Sequence, residues 1–249
     1  MHRKRTKVHV AYLGSAALSL AVIGSLAYFQ PSLLPFGFLE FWALKGSLYE
    51  IVVGAWPIYL FGILFNLPNV WPTNGYKDSA GTILMGGFGI SLWAGVAEEI
   101  CFRWLIFLGL IVLMPIFDWL LLGFIGVHVI RWVYECLSVV ANFFTFGYLQ
   151  PYLLNGYGWA VAAAIMSSNG RFRNGHSYQG LCGFTVSWFL GMYFFWTMFT
   201  YGLVASIIVH FLYDFFIFAL VSLDAMQEQW RTKRRLASRK SRTDSLVSR

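Results

Sequence analysis

The chain has 249 residues, of which 58% are hydrophobic and only 12% are charged, and its formal net charge is +7. A soluble domain typically carries roughly 25% charged residues, so lipid must cover much of this exterior. The positive charge is concentrated at the two ends of the chain, which argues against a nucleic-acid partner and favours membrane lipids.

The basic residues predict the orientation of the chain. The N-terminal group is Arg3, Lys4, Arg5 and Lys7, and the C-terminal group is Arg231, Lys233, Arg234, Arg235, Arg239, Lys240 and Arg242. Because basic flanks remain on the cytoplasmic side, we expect both termini to be cytoplasmic and the number of spans to be even.

Apolar runs between these groups predict about six to eight helical spans, since a run of roughly 20 apolar residues crosses a bilayer. The runs, in chain order, are 8–29, 47–67, 81–114, 116–146, the short 155–168, 179–199 and 201–223. The first is longer than the apolar core of a signal peptide, so we interpret it as an uncleaved span. Residues 68–79 and 169–175 are predicted to be polar turns because of their Asn-Gly pairs and, in the first, prolines.

These features predict an all-α fold, a polytopic transmembrane bundle in which every backbone polar group is satisfied within its helix. We expect a single membrane domain over 1–249, with a basic cytoplasmic tail over 228–249.

The sequence AEEICFRW, residues 97–104, places two carboxylates and an arginine in an apolar run. Each charge at the centre of a membrane costs about 2.5–3.5 kcal/mol on insertion scales, so these residues need partners or a wet cavity. Glu99 and Arg103 have the i,i+4 spacing of a helical ion pair, with the acid first. Glu98 lies on another face without a local partner. It is therefore a candidate general base, although a purely structural pair with Glu98 facing a loop is the alternative.

Two histidine motifs extend this pattern. HFLYD places His210 and Asp214 at i,i+4 in an apolar run, and a carboxylate in this position can orient an imidazole ring. FIGVH places Phe124 and His128 at the same spacing. A single histidine on an apolar face is usually a core residue, but two of them with an unpaired glutamate favour a functional site.

The series EExxxR, FxxxH and HxxxD resembles the signature of the CAAX-protease and bacteriocin-processing family of membrane-embedded glutamic peptidases. The resemblance covers about residues 80–222. It implies that Glu98 activates water with help from His128, that His210 and Asp214 bind or orient the developing oxyanion, and that Glu99 with Arg103 holds the geometry. The implied substrate is a membrane-bound protein or peptide, and no cofactor or metal is expected.

Three departures from the family pattern stand out. Many family members carry Asn where this chain has Asp214, and an ionised Asp cannot donate a hydrogen bond. The interval from His128 to His210 is long, which predicts an insertion of about one helical hairpin within 136–175. Phe172 and His176 also read FxxxH. We prefer His128 because its distance from Glu98 suits the family better and because residues 173–175 are predicted to form a turn.

Two rival functions remain at this stage. A zinc peptidase could use the histidines and a carboxylate, although HExxH is missing and Cys101, Cys136 and Cys182 lack metal-ligand spacing. A non-catalytic scaffold, immunity protein or subunit of a larger membrane complex would use its aromatic surfaces to bind a helical membrane partner.

Overall fold

The computed structural model describes residues 2–30, 35–37, 39–72, 75–154 and 156–247, and the regular elements of these segments are helical, with no strand among them. The helices are α1 His2–Phe29, α2 Leu48–Gly54, α3 Trp56–Phe61, α4 Leu67–Val70, α5 Ala80–Glu98, α6 Phe107–Leu120, α7 Val129–Phe144, α8 Gln150–Leu153, α9 Trp159–Gly175, α10 Gly180–Tyr201 and α11 Leu203–Val247. Two π-helices, Gly62–Asn66 and Glu99–Ile106, join α3 to α4 and α5 to α6. Short 3-10 helices lie at Glu40–Trp42, Gly123–Ile125 and Ser177–Gln179.

Four stretches of the described helices are long and apolar enough to cross a membrane: Leu48–Asn66, Ala80–Leu120, Ser177–Tyr201 and Leu203–Ser238. They indicate a membrane protein. The predicted six to eight spans are not confirmed. Within α1 the described apolar part is the shorter helix Ala17–Phe29, while the first side chains of the 8–29 run lie outside the described residues.

The apolar run 116–146 does not form one continuous helix. Helix α6 ends at Leu120, and Leu122 and Gly126 both have positive φ angles, of 78° and 85°. A left-handed backbone at these two positions cannot continue an α-helix. The chain therefore turns here, and α7 begins only at Val129.

Small residues allow α5 and α11 to pack closely. Gly87, Ser91 and Gly95 recur every fourth residue on α5 and are its buried residues. A Cβ atom added at Gly95 would lie 3.1 Å from the carbonyl oxygen of Ile207 on α11, so the two backbones nearly touch. Such small-residue faces are typical of helix pairs in membranes. This contact fixes the end of α5, which carries Glu98, against α11, which carries His210.

Helix α9 lies inside the bundle, where it packs against α6, α7, α10 and the Glu99–Ile106 π-helix. Its residues Ala162, Ala163 and Ala164 are almost completely buried. Residues 136–175, for which an insertion is predicted, therefore include a helix of the core.

The predicted polar turn at 169–175 is wrong, because α9 continues through Gly175. The Asn169 side chain is buried and donates a hydrogen bond to the Trp188 carbonyl at 3.0 Å.

Candidate functional site

The buried centre of the site is the Glu99 carboxylate. Its Oε1 atom lies 3.2 Å from Arg103 Nη1 and 2.8 Å from His210 Nδ1, and its Oε2 atom accepts a hydrogen bond from Ser206 Oγ at 2.6 Å. The Glu99 and Arg103 side chains have no exposed surface. The Glu99–Arg103 ion pair forms at i,i+4, as the spacing predicts. Glu99 also links two helical segments, because its partners Ser206 and His210 belong to α11.

Aromatic rings surround the Arg103 guanidinium. Its Cζ atom lies 4.0 Å from the centre of the Phe172 ring, 5.3 Å from that of Phe194 and 5.8 Å from that of Phe195. Cation–π attraction to several rings helps to compensate a cation for the loss of water. Arg103 and Glu99 together form the fully buried layer of the site, beneath the more exposed groups.

Glu98 lies on the next face of the same helical segment. Its Oε2 atom is buried and has no hydrogen-bond partner within the described protein. It lies 4.0 Å from His176 Nε2 and 4.0 Å from His210 Nε2. Such separations are too long for a direct hydrogen bond but allow one water molecule to bridge each pair. The carboxylate and the two imidazoles are therefore close enough for water to bridge them.

The outer nitrogen of each imidazole is oriented toward Glu98 by a hydrogen bond on the inner side of the ring. His176 Nδ1 lies 2.9 Å from the Phe172 carbonyl oxygen, which can only accept, so Nδ1 is the donor. His210 Nδ1 lies against Glu99 in the same way. In the neutral rings both Nε2 atoms are therefore acceptors, and they face the same oxygen of Glu98.

Asp214 lies one helical turn after His210 on α11. Its Oδ2 atom is 3.6 Å from His210 Nε2. Its side chain is 26% exposed, close to the 28% of Glu98, whereas the His210 side chain is only 4% exposed. Glu98 and Asp214 thus occupy the outer layer of the site, and His210 lies beneath them.

The structure does not bring the predicted His128 into this group, and it places His176 there instead. The His128 ring is half-exposed and contacts the Asp118 carboxylate at the turn between α6 and α7. Asp118 also accepts from the backbone N–H of Arg131 at 3.0 Å, which caps the first turn of α7. Phe124 lies in the 3-10 helix before this turn, so Phe124 and His128 do not share a helix face.

His176, the last residue of the second FxxxH motif, lies beside Glu98. Phe172 and His176 are one turn apart at the end of α9, with their ring centres separated by 4.7 Å. Phe172 also contacts the His210 ring, at 6.1 Å between centres, and forms part of the Arg103 surround. The second FxxxH motif is therefore built into the site, whereas the first is not.

Ser206 and Phe172 also belong to this group of side chains, although neither is among the site residues that the sequence predicts. Ser206, His210 and Asp214 recur every fourth residue on α11, so the extended pattern SxxxHxxxD indicates Ser206. Phe172 appears in the sequence only as the first residue of the second FxxxH motif.

Within the described residues no group of three His, Cys, Asp or Glu side chains is placed to hold a metal ion. Comparisons of the chain with protein-family models, curated proteins and solved structures found no match. The chemistry of the site is therefore inferred from its geometry. A carboxylate oxygen with no hydrogen-bond partner among the described residues, two oriented imidazoles and a second carboxylate are the kinds of groups that acid–base catalysis on a bound water requires.

Proposed function

We propose that the protein is a glutamate-dependent intramembrane endopeptidase, which hydrolyses a peptide bond of a membrane-associated protein or peptide. The observation that carries this proposal is the buried Glu98 Oε2 atom, which has no hydrogen-bond partner among the described residues and lies 4.0 Å from both His176 Nε2 and His210 Nε2. A water molecule in this space would lie within hydrogen-bonding reach of a base and of two oriented imidazoles.

In this mechanism Glu98 removes a proton from the water as its oxygen attacks the substrate carbonyl carbon. His176 orients the water through its Nε2 atom. His210, when it carries a second proton on Nε2, donates to the developing oxyanion, and the Glu99 carboxylate on the opposite side of the ring balances its charge. Arg103 keeps Glu99 in place and does not contact the substrate.

Exposure along α11 supports access from the side that carries the basic tail. Asp214, which is more exposed than His210, is also nearer along the helix to Arg231 and the residues after it. His176 lies where α9 ends. We infer that the active site is reached from the cytoplasmic side, on which both basic termini are proposed to lie. The protein would then be a multi-pass membrane protein that acts on substrates near the cytoplasmic surface.

The proposal is tested by comparing the termini of membrane proteins in cells that express the wild type, Glu98→Gln or Glu135→Gln at equal levels. Glu135 is a suitable control because it forms an exposed ion pair with Arg131 on α7, outside the site. We expect new termini in the wild type and in Glu135→Gln that disappear in Glu98→Gln. Identical termini in all three strains would refute the peptidase and favour a scaffold or a subunit that acts by binding.

A chelator titration on the purified protein separates this mechanism from a zinc peptidase. Cleavage that depends on Glu98 is expected to continue when zinc is removed. Loss of cleavage that added zinc restores would instead assign the two histidines to a metal.

A further inference from the structure

The two carboxylates of the outer layer face one imidazole nitrogen from different helices. Asp214 Oδ2 on α11 is 3.6 Å from His210 Nε2, and Glu98 Oε2 at the end of α5 is 4.0 Å from the same atom. His176 Nε2, from α9, is 4.0 Å from Glu98 Oε2. The charged and titratable groups around Asp214 are therefore His210 on its own helix, Glu98 and Glu99 from the helix beside it, and His176.

The charges of these groups indicate where a proton is held. Glu99 is neutralised by Arg103, with which it is completely buried. Glu98 and Asp214 remain, and two carboxylates that share a site do not readily both stay ionised. When the imidazoles carry a proton on Nε2, Glu98 has a cationic ring at 4.0 Å on two sides, whereas among the described residues the ion-pair contact of Asp214 is with His210 alone. The ionised form is therefore better supported at Glu98, and the shared proton belongs on Asp214.

We propose that Asp214 is the proton donor to the leaving amine, so that Glu98 and Asp214 act as a base and acid pair; this inference rests on the proposed peptidase function. Glu98 takes a proton from the attacking water, and the new C–O bond forms. As the C–N bond breaks, the proton of Asp214 moves to the departing nitrogen. The proton on Glu98 then returns to Asp214 through water beside His210 Nε2, which restores both groups without any other reactant.

This role differs from oxyanion binding in the groups that it requires. An amide at position 214 could donate a hydrogen bond to an oxyanion, but it has no acidic proton to give to an amine. An ester substrate removes the need for this proton, because an alkoxide leaves far more readily than an amide anion. Asp214→Asn should therefore impair peptide cleavage selectively, while ester cleavage continues.

The test uses the full-length protein in liposomes and two fluorogenic substrates based on a sequence cleaved in cells. One substrate has the scissile peptide bond, and the other replaces its N–H with an ester oxygen. We expect Asp214→Asn to lower kcat on the peptide by about 10²–10⁴-fold, the usual contribution of a general acid, and to lower kcat on the ester less than about tenfold. Asp214→Glu, which keeps an acid, should restore part of the peptide cleavage.

Equal losses on both substrates would overturn the inference and assign Asp214 to a structural role. Full peptide cleavage by Asp214→Asn would overturn it as well. Failure of the peptidase function itself has a different signature, because the wild type would then cleave neither substrate. Melting temperatures of the variants show whether each one is folded.

Discussion

Glu98 Oε2 and His176 Nε2 lie 4.0 Å apart, although the four helices α6 to α9 lie between these residues along the chain. Within the part of the chain that the structure describes, the other ion-pair contact of this pair is that of Glu98 with His210. The contact between Glu98 and His176 therefore depends on the tertiary fold. Variants of His176 and His128 test which of the two FxxxH motifs takes part in the site.

His176→Ala should lower Glu98-dependent cleavage by about 10²-fold or more, because an imidazole that orients the attacking water is lost. His128→Ala is the matched control, and we expect it to leave cleavage within about threefold of the wild type. Initial rates on the same peptide in liposomes measure both effects. A larger loss in His128→Ala than in His176→Ala would return the catalytic role to the first motif.

Glu99→Gln should destabilise the protein much more than Glu98→Gln. The first change leaves the buried Arg103 guanidinium without its counter-charge, a defect that costs about 3–5 kcal/mol. The second removes a charge whose imidazole neighbours are 4.0 Å away and whose Oε2 atom accepts no hydrogen bond from the described residues, so stability should change by less than about 1 kcal/mol. Melting temperatures in one detergent test this difference. Equal shifts would mean that Glu98 also has a structural partner.

Gly95→Ala should lower both stability and cleavage. An added Cβ would press on the backbone of Ile207 and Phe211, each 3.1 Å away, and would separate α5 from α11. Gly89→Ala is the control on the same helix, since a Cβ there meets nothing within 4 Å. Because alanine has a higher helix propensity than glycine, Gly89→Ala should raise the free energy of unfolding by up to about 1 kcal/mol. A melting temperature for Gly95→Ala at or above the wild type would contradict the close packing.

Asp118→Ala should weaken α7 without affecting catalysis. Loss of the side-chain acceptor for the Arg131 N–H costs about 0.5–2 kcal/mol, as for other helix caps. Asp118→Asn keeps an oxygen at this position and should retain most of that stability. Cleavage rates normalised to folded protein should match the wild type in both variants. A specific loss of cleavage in Asp118→Asn would link the Asp118–His128 pair to the active site.

The sequence was sufficient to predict the membrane character, the all-helical backbone and the Glu99–Arg103 pair. Each of these follows from local composition or from an i,i+4 spacing. The choice between His128 and His176 was not local. Asn-Gly pairs ordinarily favour turns, but burial of Asn169 and its bond to the Trp188 carbonyl keep α9 helical as far as Gly175.

The predicted count of six to eight spans is not confirmed, and one contribution to this is also tertiary. Hydropathy cannot detect the reversal at Leu122, where a non-glycine residue adopts a left-handed backbone after α6. Residues 116–146 are apolar, but they are divided between the end of α6, a turn and α7. Conversely, the polar Asn169 lies inside a core helix because neighbouring helices satisfy its side chain.

The adjacency of Glu98 and Glu99 gives this segment an unusual sensitivity to chain length. Glu98 is the last residue of α5 and Glu99 is the first residue of the π-helix. Successive residues on a helix point in different directions, which directs one carboxylate to Arg103 and the other toward the imidazoles. Replacing either glutamate alters one of these environments. Inserting or deleting a single residue between Gly95 and Glu98 would turn both carboxylates away from their partners at once. Length changes here should therefore be tolerated less well than almost any single replacement, in natural variants as in engineered ones.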